Sequence, residues 1–119
     1  MRADFREQPR EFVPLEGINL KDMGSIFLEH NEQVTFTTAS NKNNDIVRTE
    51  WGFYLGNSIN WRLREQGFKT ALVVSRAGNE PRLYINLVEQ ERMNDFFDYL
   101  KHYHSELVCW LDEWFLTHQ

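Results

Sequence analysis

DIVRTEWGFYLGNSINWRL, residues 45–63, contains a change of period on which the fold turns. From Asp45 to Leu55 one parity carries Val47, Thr49, Trp51, Phe53 and Leu55, and the other carries Ile46, Arg48, Glu50, Gly52 and Tyr54. Successive side chains of a strand point to opposite faces, so an apolar and a mostly polar parity read as a half-buried strand. On that reading Trp51 and Phe53 face the core and Tyr54 the polar side. Gly52 marks a bulge or a close backbone approach. At Asn57-Ser58 the pattern lengthens. Either side chain can accept a hydrogen bond from an amide two or three residues on and so start a helix. Ile59 and Leu63 then share a helical face, and Gly67 stands where a left-handed terminator belongs. The stretch predicts a strand over residues 45–55 running into a short helix over residues 58–66.

Working outward, residues 26–29 and 33–38 alternate around His30-Asn31-Glu32 and predict a hairpin. Residues 39–45 form an Asn-rich polar loop. Residues 68–75 and 82–89 are two further strands. A second helix is expected over residues 90–103, its buried stripe made of Met93, Phe96, Phe97, Leu100 and Tyr103. Residues 106–111 read as a strand and residues 112–119 as a tail or terminal turn. Residues 1–17 hold Pro9 and Pro14 without a sustained period. They are expected as an extended or partly disordered arm ahead of a single α+β domain over residues 18–119. The resulting order, β-β-β-α-β-β-α-β, predicts an α+β two-layer sandwich, a mostly antiparallel sheet with two helices on one face.

Several functional classes are disfavoured by composition. At 119 residues the chain has one domain's length and enough material for a core without disulfides or metal. A net charge of −5 deprives it of the positive field behind most nucleic-acid affinity. A nucleic-acid module would have to rest on Arg48, Arg62, Arg64 and Lys69 alone. Cys109 is the single cysteine, which fits a reducing, cytoplasmic setting. No apolar run is long enough for a secretory signal or a membrane span, so a soluble protein is expected.

The candidate sites divide in two. The strand–helix junction offers Arg48, Tyr54, Asn57, Ser58, Asn60, Arg62 and Lys69. A helix start presents unpaired amides to an anion, the cations suit a phosphate, sugar-phosphate or carboxylate, and Tyr54 or Trp61 can stack on a sugar or base. Helix capping by Asn57 and Ser58 accounts for the same residues. The second candidate is an interaction surface. Aromatic residues make up 14% of the chain, and Phe12, Trp110, Trp114 and Phe115 sit in terminal apolar segments of the kind that carry interface energy. No catalytic, metal or cofactor site is expected. Cys109 lies in an apolar strand, where a thiol is inert. His102 and His104 fall at a helix end and lack further ligands, and Asp112-Glu113 reads as a solvated turn.

Residues 45–74 also resemble a segment of small uncharacterised bacterial proteins associated with gene neighbourhoods for cell-surface polysaccharide or nonulosonic-sugar synthesis. The resemblance rests on Trp51-Gly52-Phe53-Tyr54, on Ser58, Asn60 and Arg62-Leu63, and on Gly67 through Val73. It departs from the family at Leu55-Gly56-Asn57, where a small residue and proline precede the serine. The resemblance brings no activity with it. The leading expectation is a non-enzymatic cytoplasmic domain that forms a homodimer or binds a protein partner, with an accessory role in surface-glycan assembly as what the resemblance implies. The alternative is a small-anion-binding protein built on the junction.

Overall fold

The computed structural model describes residues 1–118, apart from the side chain of Phe115. Its fold is α+β: eight strands lie in three antiparallel sheets, with three α-helices and one 3₁₀ turn among the described residues. The chain divides into two compact units, Met1–Val34 with Ile46–Tyr54, and Thr35–Asp45 with Leu55–Gln119.

In the first unit, residues 1–17 are ordered as a strand. β1 (Arg2–Leu15) pairs antiparallel with β2 (Ile18–Phe27) in a long two-stranded ribbon that turns through Glu16-Gly17. Pro9 and Pro14 fall within the two register shifts of β1, between Phe5 and Arg10 and between Phe12 and Leu15. This is where a residue without an amide proton does least harm to a ladder. Gly24 has φ +125°, and a Cβ there would run into the carbonyl oxygen of Asp4, so the position requires glycine.

Directly paired residues share a face. Phe5 opposes Gly24, Phe12 opposes Leu20 and Leu15 opposes Ile18. One face of the ribbon therefore carries Phe5, Phe12, Leu15, Ile18, Leu20 and Ile26. Within that face Asp22 is held by Arg10 at 3.3 Å and Arg6 at 3.6 Å.

Asp22 also accepts the Gly24 amide at 3.0 Å. That backbone bond, then Arg10 and Arg6, hold its carboxyl below the usual range against the opposing effect of desolvation. A carboxylate lowered on folding stabilises the ribbon above its unfolded pKa of about 3.9, and the contribution disappears as pH falls through the lower folded value. The Gly24 amide resonance is expected to titrate with a midpoint below about 3.9, in step with loss of ribbon amide protection. A midpoint at the ordinary aspartate value would contradict this tie.

β2 takes β1 as its partner, and this corrects the expected hairpin between residues 26–29 and 33–38. After Phe27 the chain buries Leu28 and turns through Asn31 at φ +61°. The Asn31 amide donates to the Arg48 carbonyl at 2.8 Å, and the Arg48 amide to Glu32 at 2.9 Å. The second sheet contains β3 (Gln33–Thr37), β4 (Asn43–Thr49) and β5 (Gly52–Leu55), and the division between the units falls within each of these strands.

The expected single strand over residues 45–55 is thus broken into β4 and β5 by a turn at Glu50-Trp51. Thr49 Oγ1 donates to the Gly52 carbonyl at 3.2 Å, and Gly52 has φ +149°. The turn interrupts the alternation, so parity no longer reports facing. Trp51 is 74% exposed and Phe53 62% exposed, and neither belongs to the core. Trp51 stacks on Tyr54 at 5.9 Å instead, and the Arg48 guanidinium lies 5.6 Å from the Phe53 ring.

In the second unit, β6 (Phe68–Ser75) is the central strand between β7 (Arg82–Glu89) and β8 (Ser105–Trp110). Its Ala71 and Val73 meet Val88 and Leu100 in the core, with Met93, Phe96, Leu107 and Trp110 packed around them. Leu100 lies on α2 (Met93–His102), which follows the 3₁₀ turn Gln90–Arg92. Asp95 in the first turn of α2 and Lys101 and His102 in its last match the helix dipole. Of the expected stripe, Leu100 is buried and Met93, Phe96 and Tyr103 are half-buried, but Phe97 is exposed.

The helix expected over residues 58–66 contracts to one turn, α1 (Arg62–Glu65), ended by Gly67 at φ +94°. Only Leu63 of that turn is buried. The C-terminal tail is helical, α3 (Leu111–Thr117), and Asp112 in its first turn is buried, not solvated.

Candidate functional site

The junction residues are distributed over both units. Arg48 and Tyr54 belong to the first; Asn57, Ser58, Asn60, Arg62 and Lys69 belong to the second. Asn57 and Ser58 act within the backbone. Asn57 Oδ1 accepts the Asp45 amide at 2.8 Å, and Ser58 Oγ accepts the Arg62 amide at 3.0 Å. Asn60 is exposed ahead of α1. Arg62 lies over Trp61 at 4.5 Å and pairs with Glu65 at 3.4 Å, while Trp61 Nε1 donates to the same carboxylate.

Lys69 bonds Asp112 at 3.2 Å and Glu113 at 2.7 Å, and its ammonium sits 4.8 Å from the Trp110 ring. Asp112 also accepts the Thr70 amide at 3.0 Å and lies 3.9 Å from Arg64 Nε. The cations nearest the start of β6 therefore converge on a carboxylate supplied by α3. Sequence reasoning missed that role because Asp112-Glu113 reads locally as two acids in a turn. Its one signal is the N-terminal position of an acid on a short apolar helix.

The interface residues also separate. Trp110 packs on its own core, 5.9 Å from Phe96 and 6.4 Å edge-on to Phe97. Trp114 is exposed and stacks on His118 at 4.5 Å. The Phe115 side chain lies outside the described residues. Phe12 is half-buried on the ribbon, with the Arg10 guanidinium 4.7 Å from its ring.

Two other surfaces come forward. On the ribbon face Phe5 is 67% exposed, and Leu20 and Leu15 are exposed further along the same face, beyond the Arg10–Asp22 pair. Among the described residues the principal neighbours of β1 and β2 are each other. In the second unit a groove of about 530 Å³ runs along the outer side of β7, from Ile85 to Glu89, with Thr38, Asp95, Phe96 and Tyr99 on its walls. Proline spacing hid the first surface and the edge position of β7 hid the second; neither is a local property of sequence.

Among the described residues no three His, Cys, Asp or Glu side chains gather as metal ligands do, and no helix is long and apolar enough to cross a membrane. Comparison with protein-family models, curated proteins and solved structures found no match.

Proposed function

We propose that this chain is a non-enzymatic self-association or protein-interaction domain whose working surface is the face of the β1–β2 ribbon that carries Phe5, Leu15 and Leu20, with a second copy as its occupant. The observation that carries this reading is the exposure of Phe5, Leu15 and Leu20 on one face of a ribbon whose strands are chiefly each other's neighbours. A two-stranded hairpin is marginal in water, and a hydrophobic face against more strands is what stabilises it. Packing two ribbons face to face supplies that cover. The resemblance of residues 45–74 to proteins of surface-glycan gene neighbourhoods supports a role accessory to that assembly. The anion-binding reading draws less support, because Lys69 and Arg62 already hold carboxylates and Asn57 and Ser58 hold backbone amides.

The test is light scattering on the full chain carrying Phe5→Asp and Leu20→Asp together. Both side chains are exposed, so the change tests association with little cost to the fold. The unaltered chain is expected at a multiple of 14.3 kDa, and the variant at a lower multiple. Equal masses for the two would overturn the reading.

A further inference from the structure

We infer that β7 is a second self-association seam, at which two copies pair their β7 strands antiparallel into one continuous six-stranded sheet. The first argument is that this edge is unguarded. β7 lies at the margin of its sheet. Between Leu83 and Val88 it has no charged residue and no proline, and its register with β6 runs without a shift from Arg82 to Glu89. Edge strands left free in water are usually blunted by charge, proline or a bulge. The opposite edge, β8, shows such protection: exposed Glu106, and a register shift against β6 between Leu72 and Val73.

The second argument is that the two halves of β7 complement each other. The leading half is exposed, with Leu83 at 66% and Ile85 at 52%. The trailing half lines the groove between Thr38 and the α2 residues Asp95, Phe96 and Tyr99. Antiparallel self-pairing sets the exposed half of each copy against the grooved half of the other. A second copy is therefore favoured over an unrelated strand.

The third argument is register. A two-fold axis normal to the sheet keeps each face continuous, so paired residues must have the same parity. Centred on Asn86, Ile85 meets the second copy's Leu87, and Tyr84 meets the second copy's Val88. The apolar row that joins Leu72 to Ile85 continues across the seam to the second copy's Leu87. In this register Arg82 lies opposite the second copy's Gln90, whereas a parallel in-register arrangement would set Arg82 against Arg82.

The experiment measures mass against concentration for the full chain with Ile85→Lys, alone and combined with the two ribbon substitutions. Ile85 is exposed, so lysine does not enter the core. If both seams operate, Ile85→Lys removes one association step, the ribbon variant removes the other, and the triple variant is a monomer. An Ile85→Lys chain with the same mass and concentration dependence as its parent, in both backgrounds, overturns the β7 seam and leaves the ribbon reading standing. A ribbon variant unchanged in mass, with loss of association on Ile85→Lys, does the reverse.

Discussion

Asp112→Ala is expected to lower the unfolding free energy of the second unit by about 3 kcal/mol, the typical effect of removing one partner from a buried charged cluster. Asp112 is 1% exposed and accepts from the Thr70 amide, Lys69 and, at longer range, Arg64. Alanine leaves the Thr70 amide without its acceptor inside the protein, and a buried unpaired donor costs about 1–3 kcal/mol by itself. It also leaves the half-buried Lys69 ammonium with only Glu113. Asp112→Asn keeps an acceptor for Thr70 and is expected to cost less than alanine. Glu113→Gln, at a half-exposed pair, is expected to cost under about 1 kcal/mol. Urea unfolding of the three variants checks the order. Equal effects at positions 112 and 113 would mean that α3 is not anchored through Asp112.

Leu63→Ala is the second large effect. Leu63 is fully buried and is the only buried residue of α1. A one-turn helix has no stability of its own. The segment is held by Leu63, by the Ser58 contacts to the Arg62 and Leu63 amides, and by Gly67, whose amide returns to Arg64 at 2.9 Å. Truncation removes the apolar anchor and leaves a cavity, for a loss of about 3 kcal/mol. Ser58→Ala, which removes one hydrogen bond near the surface, is expected to cost about 1 kcal/mol. A Leu63→Ala chain as stable as its parent would contradict the packing of α1.

The α+β class was legible because strand alternation and helical periodicity are local. Leu83, Ile85 and Leu87, and the α2 positions around Leu100, lie in the elements that their spacing predicts. Trp51 and Phe53 were misread for a physical reason: alternation reports facing only while the strand continues, and the turn at Glu50-Trp51 ends it. The ribbon was hidden because prolines look like breakers until their partners are known, and Pro9 and Pro14 lie where β1 shifts register against β2. The role of Asp112 was invisible because its donors, Lys69 and Thr70, lie more than 40 residues away. Local pattern gives the elements; pairings between distant elements give the surfaces.

The most direct test of the interaction reading is hydrogen exchange of the ribbon amides in the unaltered chain, measured as protein concentration is raised. Association through the ribbon predicts protection over Phe5 to Leu20 that grows with concentration, while the buried amides of β6 stay constant. Ribbon protection independent of concentration would contradict self-association through this face.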